Sequence, residues 1–178
     1  WSLPAVFVVA NNEWAISVPR AAQSAATTLA QKALAAGFSG EQVDGNDVVA
    51  VKAVTEEALA RARRGEGPSL IEALTYRLAD HTTSDDAKRY RDEAELRERR
   101  KSEPIRRLRQ YLVSERAWSE EEDARLEQEC TKEVEDAVED YLATPVAPPE
   151  AIFQYLHARL PESLMDQQRA LLAASAKP

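Results

Sequence analysis

The chain has few of the residues that cross-link or switch a small protein. Its 178 residues include one cysteine, Cys130, two histidines and five glycines. A single cysteine cannot form an internal disulfide, so a reducing compartment is expected, such as the cytoplasm of a bacterium or a mitochondrial matrix. The glycines build no Gly-x-Gly-x-x-Gly, no phosphate-binding P-loop and no serine-nucleophile elbow, which removes the commonest nucleotide and hydrolase signatures. No apolar run approaches the roughly 20 residues of a membrane-spanning helix, and no membrane partner is expected. Positive charge is short as well: the net charge of −8 argues against a nucleic-acid partner. Repeats and low-complexity tracts are absent.

What remains is 44% apolar and 30% charged, which fits a globular core with long exposed helices. Residues 5–10, Ala-Val-Phe-Val-Val-Ala, form a continuous apolar run of the kind found in strands covered on both faces. The chain opens on Trp1 rather than Met and enters this run at once, so the expectation is a chain whose amino-terminal part is missing. A helix is expected over 27–36 with Gly37 as its cap, a short strand over 41–44, and a helix over 48–64 capped by Asp47 and closed by Arg61, Arg63, Arg64 and Gly65. A third strand is expected over 70–76. Strand–helix alternation with short connections implies parallel crossovers. From Glu93 onward the pattern is helical. Segments are expected over 93–102, 104–116, 119–142 (with Leu126, Cys130, Val134, Val138 and Tyr141 on one stripe and Cys130 in a core), 150–160 and 162–174. The expected fold class is α/β, a parallel sheet with flanking helices, followed by an all-helical carboxyl-terminal region. The boundary falls between residues 1–91 and 92–178.

Sites in open α/β sheets lie where strands end. Two such places stand out. Asn11-Asn12 closes the first strand, and its amide oxygens suit a hard cation such as Mg²⁺; a turn is the alternative reading of the same residues. The third strand runs into Arg77-Leu78-Ala79-Asp80-His81-Thr82-Thr83-Ser84-Asp85-Asp86-Ala87-Lys88-Arg89-Tyr90-Arg91. Here His81 could donate a proton or hold an anion, helped by Arg77, Arg89 and Arg91. Asp85 and Asp86 could pair with these arginines and order the loop; a solvated polar loop is the alternative. The basic residues 97–109 alternate with acids at helical spacing and read as a salt-bridged helix face.

Asn11-Asn12-Glu13-Trp14-Ala15-Ile16-Ser17-Val18-Pro19, Val43-Asp44-Gly45-Asn46-Asp47 and the 70–91 segment, taken in this order, resemble the alpha subunit of the decarboxylating component of 2-oxo acid dehydrogenase complexes, of pyruvate or branched-chain type. The resemblance covers nearly the whole chain and is strongest over residues 3–91. It implies a thiamine diphosphate-binding fold whose metal motif runs from Gly-Asp-Gly to Asn-Asn, of which these residues hold the second half. It further implies that Asn12, through its side chain, and Trp14, through its carbonyl, ligate a Mg²⁺ bridging the diphosphate. By the same resemblance Ile16 lies near the aminopyrimidine, and His81 contacts the diphosphate and assists acyl transfer to lipoamide. Arg77, Asp85, Tyr90 and Arg91 order the loop around it. The implied partners are a beta subunit in an α2β2 assembly, the lipoyl domain of the acyltransferase component, and a small 2-oxo acid, with pyruvate favoured. Two other readings stand beside this one: a non-catalytic α/β interaction module, and a transketolase-like enzyme of another substrate class, against which the His81 loop counts. The leading reading requires Asn12 and His81 to leave the same end of one sheet.

Overall fold

The structure is a computed structural model that describes residues 1–175. Among the described residues there are five strands: β1 (Val6–Asn11), a small hairpin of β2 (Trp14–Ala15) and β3 (Val18–Pro19), β4 (Ser39–Asp44) and β5 (Ser69–Leu74). β1, β5 and β4 form a parallel sheet in that order, with β5 in the middle. The α-helices among the described residues are α1 (Arg20–Gln23), α2 (Lys32–Ala35), α3 (Val48–Arg63), α4 (Glu93–Arg99), α5 (Pro104–Ser114), α6 (Glu120–Ala143) and α7 (Glu162–Ser175). Among the described residues no helix is long and apolar enough to cross a membrane.

One face of the sheet packs on α3. Ile71 and Ala73 of β5, Val43 of β4 and Ala58 of α3 form the core, with Val6, Ala50, Val51 and Val54 against it. The helix starts where the sequence says it should. The Asp47 side chain accepts from the Val49 and Ala50 N–H groups, at 3.0 Å each, satisfying two donors of the first turn. It ends at Gly65, whose φ of +76° only glycine adopts without cost. The opposite face meets the segment containing Ala30 and Ala33, both buried. There Gly40 is required, because a Cβ would overlap the Ala30 carbonyl oxygen.

Four sequence expectations are corrected. The first strand lies on a sheet edge among the described elements, with Phe7 and Val8 exposed. The helix expected over 27–36 shortens to α2. The Ala30 N–H is held by the Glu72 carboxylate, and the turn before the helix is tightened by i→i+3 bonds such as Lys32 N–H to Leu29 O. The helix expected over 150–160 is a 3₁₀ turn, Pro149–Phe153, that packs on α7; Pro161 disfavours helical backbone at the residue before it. Cys130, expected in a core, is exposed.

The described chain divides into two compact units, Trp1–Ser119 and from Glu120 onward. The physical reason is α5. Its Arg107 bonds Asp44 at 2.6 Å and Asp47 at 2.8 Å, closing the β4–α3 corner from 60 residues away. Arg99 of α4 adds a cation over the Tyr76 ring, 5.0 Å from its centroid. In the second unit Leu126, Val134, Val138 and Tyr141 of α6 are exposed.

Ile71 is fully enclosed, so Ile71→Ala is expected to destabilise the sheet by about 2–5 kcal/mol. Leu34→Ala, at an exposed position, is expected to stay within about 0.5 kcal/mol. Urea-dependent hydrogen exchange of the β5 amides measures both, and equal effects would contradict this core.

Candidate functional site

β1 and β5 end level, with Asn11 opposite Leu74. Their pairing then runs on past both strands: Thr75 N–H donates to the Asn11 carbonyl at 2.8 Å and Arg77 N–H to the Asn12 carbonyl at 3.2 Å. Asn12 and the segment leading to His81 therefore leave the same edge of one sheet.

The Asn11-Asn12 turn is built by side-chain amides. Asn11 is buried; its Nδ2 donates to Glu72 Oε1 at 2.6 Å and its Oδ1 accepts from Glu13 N–H at 3.1 Å. Asn12 Oδ1 accepts from Trp14 N–H at 3.1 Å. These two local turns carry the chain through Glu13 at φ +66° and, after the hairpin strand, Ile16 at φ +53°. A β-branched residue at positive φ is a strained backbone position held by its surroundings. Arg77 is what holds Ile16: its Nη2 donates to the Ile16 carbonyl at 2.7 Å.

The same guanidinium group reaches the His81 loop. Arg77 Nη2 also donates to the Tyr90 hydroxyl at 2.8 Å. That hydroxyl donates to Asp85 Oδ2 at 2.5 Å, and the same oxygen accepts from the His81 N–H at 2.8 Å. Tyr90 packs its ring on Trp14, centroids 5.6 Å apart. Arg91 is buried and ties down the loop's start, donating to the carbonyls of Arg77 (2.5 Å), Leu78 (3.2 Å) and Ala79 (3.3 Å). Asp80 Oδ1 accepts from Ala87 N–H at 3.0 Å. The Tyr90 hydroxyl first, and then the His81 N–H, hold the Asp85 carboxyl below the usual carboxylate range. Burial, and then the hydrogen bond to Asp85, push the Tyr90 phenol up.

Each residue expected from the sequence has a definite place. Asn12 and Trp14 sit on one turn. Ile16 is joined through Arg77, Tyr90 and Asp85 to the backbone of His81, whose side chain is exposed. An open cleft of about 350 Å³ beside the turn is lined by Asn11, Asn12, Trp14, Arg20 and Lys32 among others, but by none of residues 77–91. Asp86 caps the 3₁₀ turn Ala87–Arg89 rather than pairing with an arginine. The sequence reading missed Glu72, which no water reaches. The signal was available: it is the one charged residue in Leu-Ile-Glu-Ala-Leu, and a glutamate is almost never fully buried unless both its oxygens are met.

The donors present fit a hard cation and a diphosphate. Asn12 Oδ1 keeps a second lone pair beyond its bond to Trp14. The Trp14 carbonyl lies outside the hairpin ladder: Arg20 N–H bonds the Glu13 carbonyl at 2.8 Å, so the next pair, Trp14 and Pro19, is the one without ladder bonds. These are two neutral oxygens of the kind Mg²⁺ takes together with phosphate oxygens and water, and the Arg20 and Lys32 cations line the same cleft. Among the described residues there is no group of three or more His, Cys, Asp or Glu side chains able to hold a metal.

The loop has a defined pH window. A depressed Asp85 stabilises the folded loop above its unfolded value of about 3.9, and that contribution is lost as pH falls through the folded value. A raised Tyr90 stabilises the loop below about 10 and ceases to do so as pH rises through its folded value. The Tyr90 ring resonances should therefore hold their positions from about pH 5 to 9 and move toward random-coil values below about 4, and at neutral pH trypsin should cleave only slowly at the exposed Lys88 and Arg89. Tyr90→Phe should speed cleavage at neutral pH by about five- to tenfold, and an unchanged rate would sink this network.

Comparison with known proteins identifies a family. Residues 1–150 match the family described as "Dehydrogenase E1 component". The chain is similar to the 3-methyl-2-oxobutanoate dehydrogenase subunit alpha of Mycobacterium tuberculosis (strain H37Rv), 43% identical, covering 99% of this chain and 48% of that protein. It is also similar to the pyruvate dehydrogenase E1 component subunit alpha of Acholeplasma laidlawii, 45% identical over 92% of this chain and 48% of the relative. The corresponding Bacillus subtilis (strain 168) subunit is 42% identical, over 94% and 45%. The chain thus spans a little under half the length of these relatives. With the match extending from the first residue through the sheet, the Asn-Asn turn and the His81 loop, the chain belongs to the dehydrogenase E1 component family.

Proposed function

We propose that the chain acts as, or within, the alpha subunit of a 2-oxo acid dehydrogenase, with pyruvate as the favoured substrate. One observation carries this reading: the Asn12–Trp14 turn and the His81 loop leave adjacent parallel strands at one sheet edge and are joined through Arg77, Tyr90 and Asp85. The relatives named as pyruvate dehydrogenase alpha subunits support the substrate. A branched-chain 2-oxo acid is the second reading, favoured by the mycobacterial relative that matches 99% of the chain.

In this reading Asn12 Oδ1 and the Trp14 carbonyl would hold Mg²⁺, and Lys32, together with Arg20, which is paired with Glu13 at 3.6 Å, would supply positive charge to the diphosphate of thiamine diphosphate. Bound there, the cofactor supplies the electron sink for loss of CO₂ from the 2-oxo acid. The chain's own residues orient and screen. Ile16, strained and exposed at the hairpin tip, would offer an apolar edge to the aminopyrimidine. The His81 imidazole, on a loop whose backbone Asp85 fixes, gives or takes a proton at the diphosphate and during acyl transfer to lipoamide. Arg77, Tyr90 and Arg91 keep that loop ordered. The partners are a beta subunit in an α2β2 assembly and the lipoyl domain of the acyltransferase component. The sheet region is the thiamine diphosphate-binding part and the later helices a carboxyl-terminal extension. The bacterial relatives support a bacterial cytoplasm.

The test is CO₂ release by the full natural chain assembled with its beta subunit. The substrates are pyruvate and 3-methyl-2-oxobutanoate, with and without thiamine diphosphate and Mg²⁺. Release should require both additives, and kcat/KM should favour pyruvate by roughly tenfold or more. His81→Ala should lower acyl transfer to a lipoyl domain by about 100-fold or more. No release from either substrate would refute the assignment; the opposite preference would establish the branched-chain reading.

A further inference from the structure

We propose that Glu72 is the positioning residue of the Asn11-Asn12 turn, setting the direction of the Asn11 amide and thereby the backbone that presents the Asn12 and Trp14 oxygens. Its consequence for cofactor binding rests on the function proposed above; its consequence for the turn does not.

Glu72 lies at the centre of the middle strand with no exposed surface. Its two oxygens meet two neutral donors, Asn11 Nδ2 at 2.6 Å and the Ala30 N–H at 2.9 Å. Enclosing a carboxylate costs far more than enclosing a leucine of similar size, so packing alone does not account for it. A carboxylate has one property that an apolar side chain or an amide lacks: it only accepts. Asn11 must therefore turn its NH₂ toward Glu72. Its Oδ1 then faces the other way, where it takes the Glu13 N–H at 3.1 Å and holds Glu13 at φ +66°. The chain doubles back at that residue. Asn12 Oδ1 comes onto the Trp14 N–H, and the Trp14 carbonyl stays outside the hairpin ladder. The second oxygen fixes the Ala30 segment against the same strand, on the wall that carries Lys32.

The donor count gives a sharp consequence. In Glu72→Gln, an NH₂ must face either Ala30 N–H or Asn11 NH₂. Relief by flipping the Asn11 amide gives up its bond from Glu13. In the double variant Glu72→Gln with Asn11→Asp, every bond returns, the one between positions 11 and 72 with its sense reversed. The new amide donates to the new carboxylate, that carboxylate still accepts from Glu13 N–H, and the amide oxygen accepts from Ala30 N–H. The total charge is unchanged.

The experiment compares the natural full chain, E72Q, N11D and the double variant, each assembled with the beta subunit. Two quantities are read: hydrogen exchange of the Glu13 and Trp14 amides without ligand, and affinity for thiamine diphosphate with Mg²⁺ by calorimetry. Each single variant should raise exchange and weaken binding by about tenfold, and the double variant should return to within about threefold of the natural chain. Unchanged exchange in E72Q, or a double variant no better than the two singles combined, overturns the proposal. So does a disturbed turn that binds cofactor normally. Should E72Q fail to fold, recovery in the double variant supports the proposal and failure of the double overturns it. A natural chain that binds no thiamine diphosphate refutes the function proposed above, while the exchange comparison still decides on Glu72.

Discussion

The level ending of three parallel strands is the constraint on which everything else here depends. Asn11 of β1 and Asp44 of β4 both stand opposite Leu74 of β5. Parallel pairing with no offset brings three loops out at one edge: the Asn11-Asn12 turn, the Gly45-Asn46-Asp47 corner and the loop from Thr75 to Arg91. Open α/β sheets place ligands at this edge because the loops diverge there and backbone groups are left to be satisfied. Gly45 keeps the edge tight, since a Cβ on it would come within 2.9 Å of the Leu74 carbonyl oxygen.

Polar groups on this frame act in two ways. On the surface, Lys52–Glu56 and the Arg64 contacts to Glu57 and Glu66 are exposed pairs, of the class that adds little to stability. The buried groups do the directing. Glu72 offers only acceptors and so determines how an amide faces; Arg91 offers only donors and gathers three successive carbonyls of the loop that follows β5. Each removes an alternative conformation because its hydrogen-bonding sense cannot be reversed. Arg77 then transmits order between the two halves of the site, with one nitrogen bonded to the strained Ile16 carbonyl and to Tyr90.

Much of this was legible in the chain. A continuous apolar run located β1 and a largely apolar one β5, and Asp47 and Gly65 marked both ends of α3. The Asn-Asn pair and the His81 loop stood out because polar residues cluster directly after core strands. The shortened α2 was not legible, because Ala-rich helical periodicity at 27–36 competes with a hydrogen bond from Glu72, 42 residues away. Nor was the attachment of α5 to the sheet unit, since its Arg107 bonds join residues 60 and 63 positions apart. Cys130 fell on an apolar stripe of α6, and periodicity reports which residues share a face, not whether anything covers it.

The sequence by itself determined the three strands of the parallel sheet, the well-capped helix, the lack of an internal disulfide and the residue types gathered for a site. Those are local matters, decided by periodicity, propensity and capping within a few residues. Only the tertiary structure decided which strand lies in the middle, which donor each buried charge meets, and that Asn12 and the His81 loop share one edge. Those depend on long-range pairing and on hydrogen-bond partners brought together by it, and no short window of sequence contains both members of such a pair.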